Sequence, residues 1–131
     1  MRGASALGEL LAKYPHARVH VMVVWMPIIP TDTGPPDSRV TGPLADSRVS
    51  WYWDEQRILT PPMVERTRQL YERGLTVPQV EPGDLLWDVI TAYDPGVVWE
   101  EPFPAMSWFG MEMVLHSLPM VERRLKEMSP S

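Results

Sequence analysis

Apolar residues fill nearly every position from Val19 to Met26, a run rich in β-branched valine. Such a run predicts a strand over 18–26, buried on both faces inside a sheet with helices above and below. Upstream, Leu7, Leu10, Leu11 and Tyr14 recur at i, i+3, i+4 and i+7, one face of an amphipathic helix over 4–14 that Pro15 ends. A helix feeding a buried strand ordinarily follows an earlier strand, because βαβ units use the helix to cross between parallel neighbours. The chain therefore opens where the middle of a βαβ unit is expected.

From Pro27 to Gly42 the pattern breaks up among four prolines and two glycines, which predicts loop. Asp37-Ser38-Arg39-Val40 returns as Asp46-Ser47-Arg48-Val49. Two copies this short do not make a repeat architecture, and the echo reads as coincidence or a local duplication. Val49-Ser50-Trp51-Tyr52-Trp53 predicts a second strand over 49–53, suited to a sheet edge. Thr60 offers an N-cap with Pro61 at the first helical position, and Met63, Val64, Thr67, Leu70 and Tyr71 give a helix over 61–73 that Gly74 stops. Leu86 to Tyr93 predicts a strand over 86–93, and Asp94-Pro95-Gly96 turns it into a fourth over 97–101, an antiparallel hairpin. Met111, Val114, Leu115, Leu118, Val121 and Leu125 share the stripe of a helix over 107–127, with Pro119 expected to kink or divide it.

Composition narrows the class. A length of 131 residues fits a single domain, 1–131, able to bury roughly two-thirds of the surface its unfolded chain exposes. Hydrophobic residues at 44% and charged residues at 22% are ordinary for a globular protein. The 15 prolines are about twice the usual share and fall between periodic segments, as stiff connections would. A net charge of −5 without a Lys/Arg run argues against nucleic acid, and the same balance argues against a membrane surface. No signal peptide stands at the N-terminus and no apolar run reaches the roughly 18 residues of a membrane span, so a cytoplasmic protein is the default expectation. With no cysteine, the chain has neither disulfide nor thiolate chemistry.

The order helix, strand, loop, strand, helix, hairpin, helix resembles the thioredoxin-like superfamily, in its peroxiredoxin or TlpA-type branch. Three places carry the resemblance: Val19 to Pro27 as the strand after the first helix, Asp46 to Asp54 as an extra edge strand, and Trp87 to Trp99 as the closing hairpin. The resemblance implies a three-layer α/β/α fold with a mixed sheet, in which the 18–26 strand runs parallel to 86–93. It also implies a first strand and a Cys-x-x-Cys pair at the N-terminus of the first helix, where amides and helix dipole lower a thiol pKa. Neither is present here, so the fold is expected to be N-terminally incomplete. Pro82 is the nearest match to the family's proline before the hairpin but stands too early, and no catalytic residue carries over. A central strand contributes about four to six core side chains at roughly 1.5–3 kcal/mol each, comparable with a domain's net stability of about 5–15 kcal/mol. Either the flanking strands close up and pair, or the chain continues upstream; the second is the favoured expectation.

Other constellations have plainer readings. Asp32-Thr33-Gly34 is the tripeptide of aspartic proteases, yet prolines flank it and no second apolar-apolar-Gly segment supports it, so it reads as a turn. His16 and His20 stand four apart, with Glu100-Glu101 beside the hairpin, but a metal site needs a third ligand in open geometry. His20 reads instead as a half-buried structural residue, and His116 as a surface or boundary residue of the last helix rather than a proton carrier near neutral pH. Met106, Met111, Met113 and Met120 offer thioethers suited to Cu(I), but at helical spacing they read as core filling. No catalytic, cofactor or metal residue is assigned. Trp51, Trp53, Trp99 and Trp108 would mark a partner surface if exposed together. Two functions follow: a thioredoxin-fold relative of thiol-disulfide oxidoreductases that is redox-inactive for want of cysteine, or a non-catalytic thioredoxin-like protein-binding module.

Overall fold

The computed structural model describes residues 2–100, 103–110 and 114–130. Helices and strands alternate in a mixed α/β chain: α1 (Arg2–Lys13), β1 (Val21–Trp25), α2 (Ser38–Thr41), a 3-10 turn (Gly42–Leu44), β2 (Val49–Trp53), α3 (Thr60–Glu72), β3 (Thr91–Ala92), β4 (Trp108–Phe109) and α4 (Val114–Met128). The contacts group into two compact units, Met1–Glu55 with Leu115–Ser131, and Gln56–Val114. Each unit buries its own apolar cluster.

In the first unit β1 and β2 pair in parallel, in the register Val21↔Val49 through Trp25↔Trp53. The connection between them holds α2 and the 3-10 turn, the length of crossover that a parallel pair requires. Leu11, Ala17, Leu44 and Leu125 are buried together, with Leu7, Val21, Val23, Trp51 and Val121 packed around them. Leu11 shows why α1 forms where its leucines fall: it is 1% exposed at the centre of the helix's apolar face. Gly8 on the same helix is indispensable for a different reason, since a Cβ there would lie 1.9 Å from the Pro43 carbonyl oxygen. The prolines of 27–42 do not exclude helix entirely, because the Asp37 carboxylate accepts the Arg39 amide and caps the single turn of α2.

The second unit centres on Leu70, Val77 and Phe109, with Leu86, Val89 and Met106 against them. Helix α3 buries Met63, Val64, Thr67 and Leu70. Its stop follows the glycine: Gly74 adopts φ +81°, its amide donates to the Tyr71 carbonyl and the Leu75 amide to the Leu70 carbonyl, a Schellman closure. Helix α4 runs undivided through Pro119. A proline six residues into the helix removes one backbone bond without ending it.

Several expectations are corrected. β1 is half-buried rather than enclosed on both faces, with Met22 40% exposed, because its sheet has two strands. Among the described residues it pairs with β2 alone, and β3 belongs to a separate antiparallel ladder with β4. The 86–93 strand shrinks to Thr91–Ala92 because Asp88 takes φ 53°, a left-handed turn that no extended run tolerates. The 97–101 strand is not formed over 97–100; the partner of β3 comes from Trp108–Phe109, residues expected to open the last helix. That helix begins at Val114, and Met111 and Met113 lie outside the described residues. Among the described residues no helix is long and apolar enough to cross a membrane.

Candidate functional site

The strongest surface feature lies in the connection between β3 and β4 and is built by a turn. Asp94-Pro95-Gly96-Val97 places proline at the second position and glycine at φ +81° at the third, and the Val97 amide donates to the Asp94 carbonyl at 3.4 Å. The chain leaves this turn with Val97, Val98 and Trp99 exposed by 36%, 67% and 41%. Trp99 is nonetheless held: its ring meets Tyr93 edge-on at 4.8 Å and Phe103 edge-on at 5.0 Å. Such aromatic geometry fixes the side chain more than burial alone. Tyr93, at one end of this chain of rings, is half-buried, and its burial pushes its phenol pKa up. Trp87, ahead of the left-handed Asp88, is also exposed.

Charge sets this region apart. The sequence from 75 to 114 carries Glu81, Asp84, Asp88, Asp94, Glu100, Glu101 and Glu112 and not a single Lys or Arg. Glu81, Asp84, Asp88, Asp94 and Glu100 are exposed. Asp88 has a structural task as well, accepting the Val114 amide at the start of α4 at 3.4 Å.

The tryptophans singled out by sequence are divided. Trp51 and Trp53 belong to the first unit and Trp99 and Trp108 to the second. Trp51 stacks on Trp25 at 6.1 Å and packs on the buried cluster, so it serves the interior. Trp53 and Trp108 are half-buried, and Trp99 alone of the four is exposed. Val97, Val98 and Trp87 were not anticipated, since a strand assignment hides them; the absence of cations across 75–114 is the signal that marks them.

Elsewhere the candidate chemistry dissolves. His16 and His20 are exposed, and His20 shares a hydrogen bond of 3.2 Å with the Ser50 hydroxyl instead of sitting half-buried. His116 is exposed on α4. Among the described residues no group of three His, Cys, Asp or Glu side chains is placed to hold a metal ion. Asp32 accepts the Ile28 and Ile29 amides at 2.8 and 3.0 Å, which lowers its pKa, the Ile29 bond most. That is the proline-rich turn its neighbours predict, not a catalytic dyad. Met106 packs on the second cluster, as its core reading requires.

An open pocket of about 300 Å³ in the first unit is lined by Leu11, Ala12, Pro15, Asp46, Ser47 and Arg48. Its guanidinium is fully engaged. Arg48 donates from Nε and Nη2 to Asp46 and from Nη1 and Nη2 to the carbonyls of Tyr14, Ala17 and Leu11, at 2.7–3.2 Å. All five of its N–H donors are thereby used, leaving none for an anionic ligand. The pocket is the mouth of a structural clamp. No family model, curated protein or solved structure matches the chain.

Proposed function

We propose that this chain is a non-catalytic, thioredoxin-like protein-binding module that presents Val97-Val98-Trp99 to its partner. The thioredoxin-like part is supported by a helix running into β1 and by the parallel β1–β2 pair across its crossover. The lack of cysteine removes thiol-disulfide exchange from this chain. Binding is supported chiefly by one observation: three consecutive apolar residues stand exposed while the aromatic one is locked by two neighbouring rings. Fixed exposed aromatic and aliphatic side chains lose little entropy on docking and are what interface centres are made of.

The test is photo-cross-linking. A benzophenone amino acid in place of Val98 should capture a discrete protein from an extract of the native cell, while the same group in place of Tyr52 on β2 should not. Capture of the same species from both positions, or from neither, would overturn the reading. An insulin-reduction assay should give the uncatalysed rate, and turnover would remove the non-catalytic part of the proposal.

A further inference from the structure

We propose that the Val97–Trp99 surface accepts a protein segment in which Arg or Lys residues alternate with apolar side chains. The inference depends on the protein-binding reading of the same surface and specifies its partner. Two features coincide there. In sequence the apolar triplet is bracketed by exposed acids, Asp94 before it and Glu100 after it, and exposed Trp87 stands between Asp84 and Asp88. The stretch 75–114 itself contains no Lys or Arg. A partner that brought apolar side chains alone would desolvate this rim without replacing its lost hydration. A segment carrying guanidinium or ammonium groups would pair with the rim and lay cations on the exposed tryptophan faces.

The same charges disfavour other occupants. A second copy docking through this patch would set acid against acid, and nucleic acid or an anionic lipid surface would be repelled.

The probe is a short synthetic peptide of alternating Arg and Leu, titrated calorimetrically into the full chain. Two controls are an alternating Glu/Leu peptide and an alternating Arg/Ser peptide. The Arg/Leu peptide should bind, weakening about tenfold between low and ~0.5 M salt as the rim is screened. Neither control should reach its affinity. Val98→Ser, at an exposed position, and the double replacement Asp94→Asn with Glu100→Gln should each weaken binding about fivefold or more. The backbone bonds of the turns are untouched by these changes, and unchanged circular dichroism verifies the fold. Equal binding of the Glu/Leu peptide, indifference to both variants, or no binding at all overturns the inference. So does sedimentation showing a dimer that Val98→Ser dissolves, which would make a second copy the occupant. If cross-linking from position 98 captures a partner through an acidic or uncharged segment, this inference fails while the binding-module reading stands. If it captures nothing, the module reading itself fails.

Discussion

Arg48 donates from Nη2 to the Leu11 carbonyl at 2.8 Å, joining the end of α1 to the residue before β2 across 37 positions of sequence. The last turn of a helix leaves carbonyls without intrahelical partners, and a cation there also meets the negative end of the helix dipole. The Leu11 carbonyl already accepts the Tyr14 amide at 3.1 Å, so Arg48 adds a second, charge-assisted bond, while Asp46, two residues earlier, holds its fork in place through two bonds of 2.9 and 2.7 Å. The connection from helix to strand is therefore fastened by a side chain from elsewhere in the unit.

Replacing Arg48 with Leu should cost about 2 kcal/mol of unfolding free energy, since it deletes the charge-assisted bonds to Asp46 and to the Leu11, Tyr14 and Ala17 carbonyls. Arg48→Lys should recover less than half, because an ammonium lacks the planar fork. Arg39→Leu, removing the equivalent cation of the exposed pair, should change stability by less than about 0.5 kcal/mol. Urea titrations of the three variants decide the matter; equal losses at 39 and 48 would remove the clamp's importance.

Acid should loosen the same clamp. The Arg48 guanidinium, followed by the Arg48 amide, holds the Asp46 carboxyl at a pKa of about 2, below its ordinary 3.8. Glu122 is lowered too, first by its hydrogen bond from Lys13 and then by that from Tyr14. A carboxyl whose folded pKa is depressed stabilises the fold above its unfolded value and loses that contribution as pH falls toward the folded one. Wild-type stability should therefore decline between about pH 4 and pH 2, and Asp46→Asn should be less stable than wild type at neutral pH but decline less steeply. Thermal melts across that range provide the measurement, and parallel curves for the two proteins would contradict it.

Gly8→Ala should destabilise the fold although alanine is the better helix former by about 1 kcal/mol. The added carbon would meet the Pro43 backbone carbonyl, which has no rotamer by which to withdraw. Overpacking of this kind costs about 1–3 kcal/mol. A raised melting temperature for Gly8→Ala would show that α1 does not approach the 3-10 turn so closely.

Asp88 should tolerate Gly or Asn and reject Val. Its φ of 53° suits Asn as well as Asp, glycine has no Cβ to clash, and a β-branched side chain would add about 1–2 kcal/mol of backbone strain. Asp88→Val also deletes the acceptor of the Val114 amide. Hydrogen exchange at Val114 should quicken in Asp88→Val and stay slow in Asp88→Asn.

What could be read from the sequence was local. The leucines of α1, the span of β2 and the glycine stop of α3 follow from spacing and single-residue chemistry, and the structure repeats them nearly residue for residue. Strand partners were not legible, because pairing is decided by where the chain returns. Thr91 finds Phe109 instead of the nearer Val97, and a lone left-handed Asp88 cuts short a run whose apolar pattern is otherwise continuous. The Asp-Ser-Arg-Val echo shows the same division. Both copies begin alike, the aspartate accepting the amide and guanidinium of the arginine two residues on, but the first runs into helix α2 and the second into strand β2. Their side chains differ in exposure, 54% and 90% at Asp37 and Arg39 against 24% and 15% at Asp46 and Arg48, and no tetrapeptide encodes that. The candidate surface was half-visible: Trp99 was named, while Val97 and Val98 were hidden by a strand that does not form.

The cation-free stretch has a practical corollary for locating any bound partner. Trypsin cuts after Lys and Arg, and between Arg73 and Arg123 this chain contains neither. The whole candidate surface thus leaves a digest as one fragment, 74–123, and a tryptic cross-link can report only that it was touched. A Glu-specific protease instead cuts after Glu100 and Glu112, separating Trp87 and Val98 from β4 and α4.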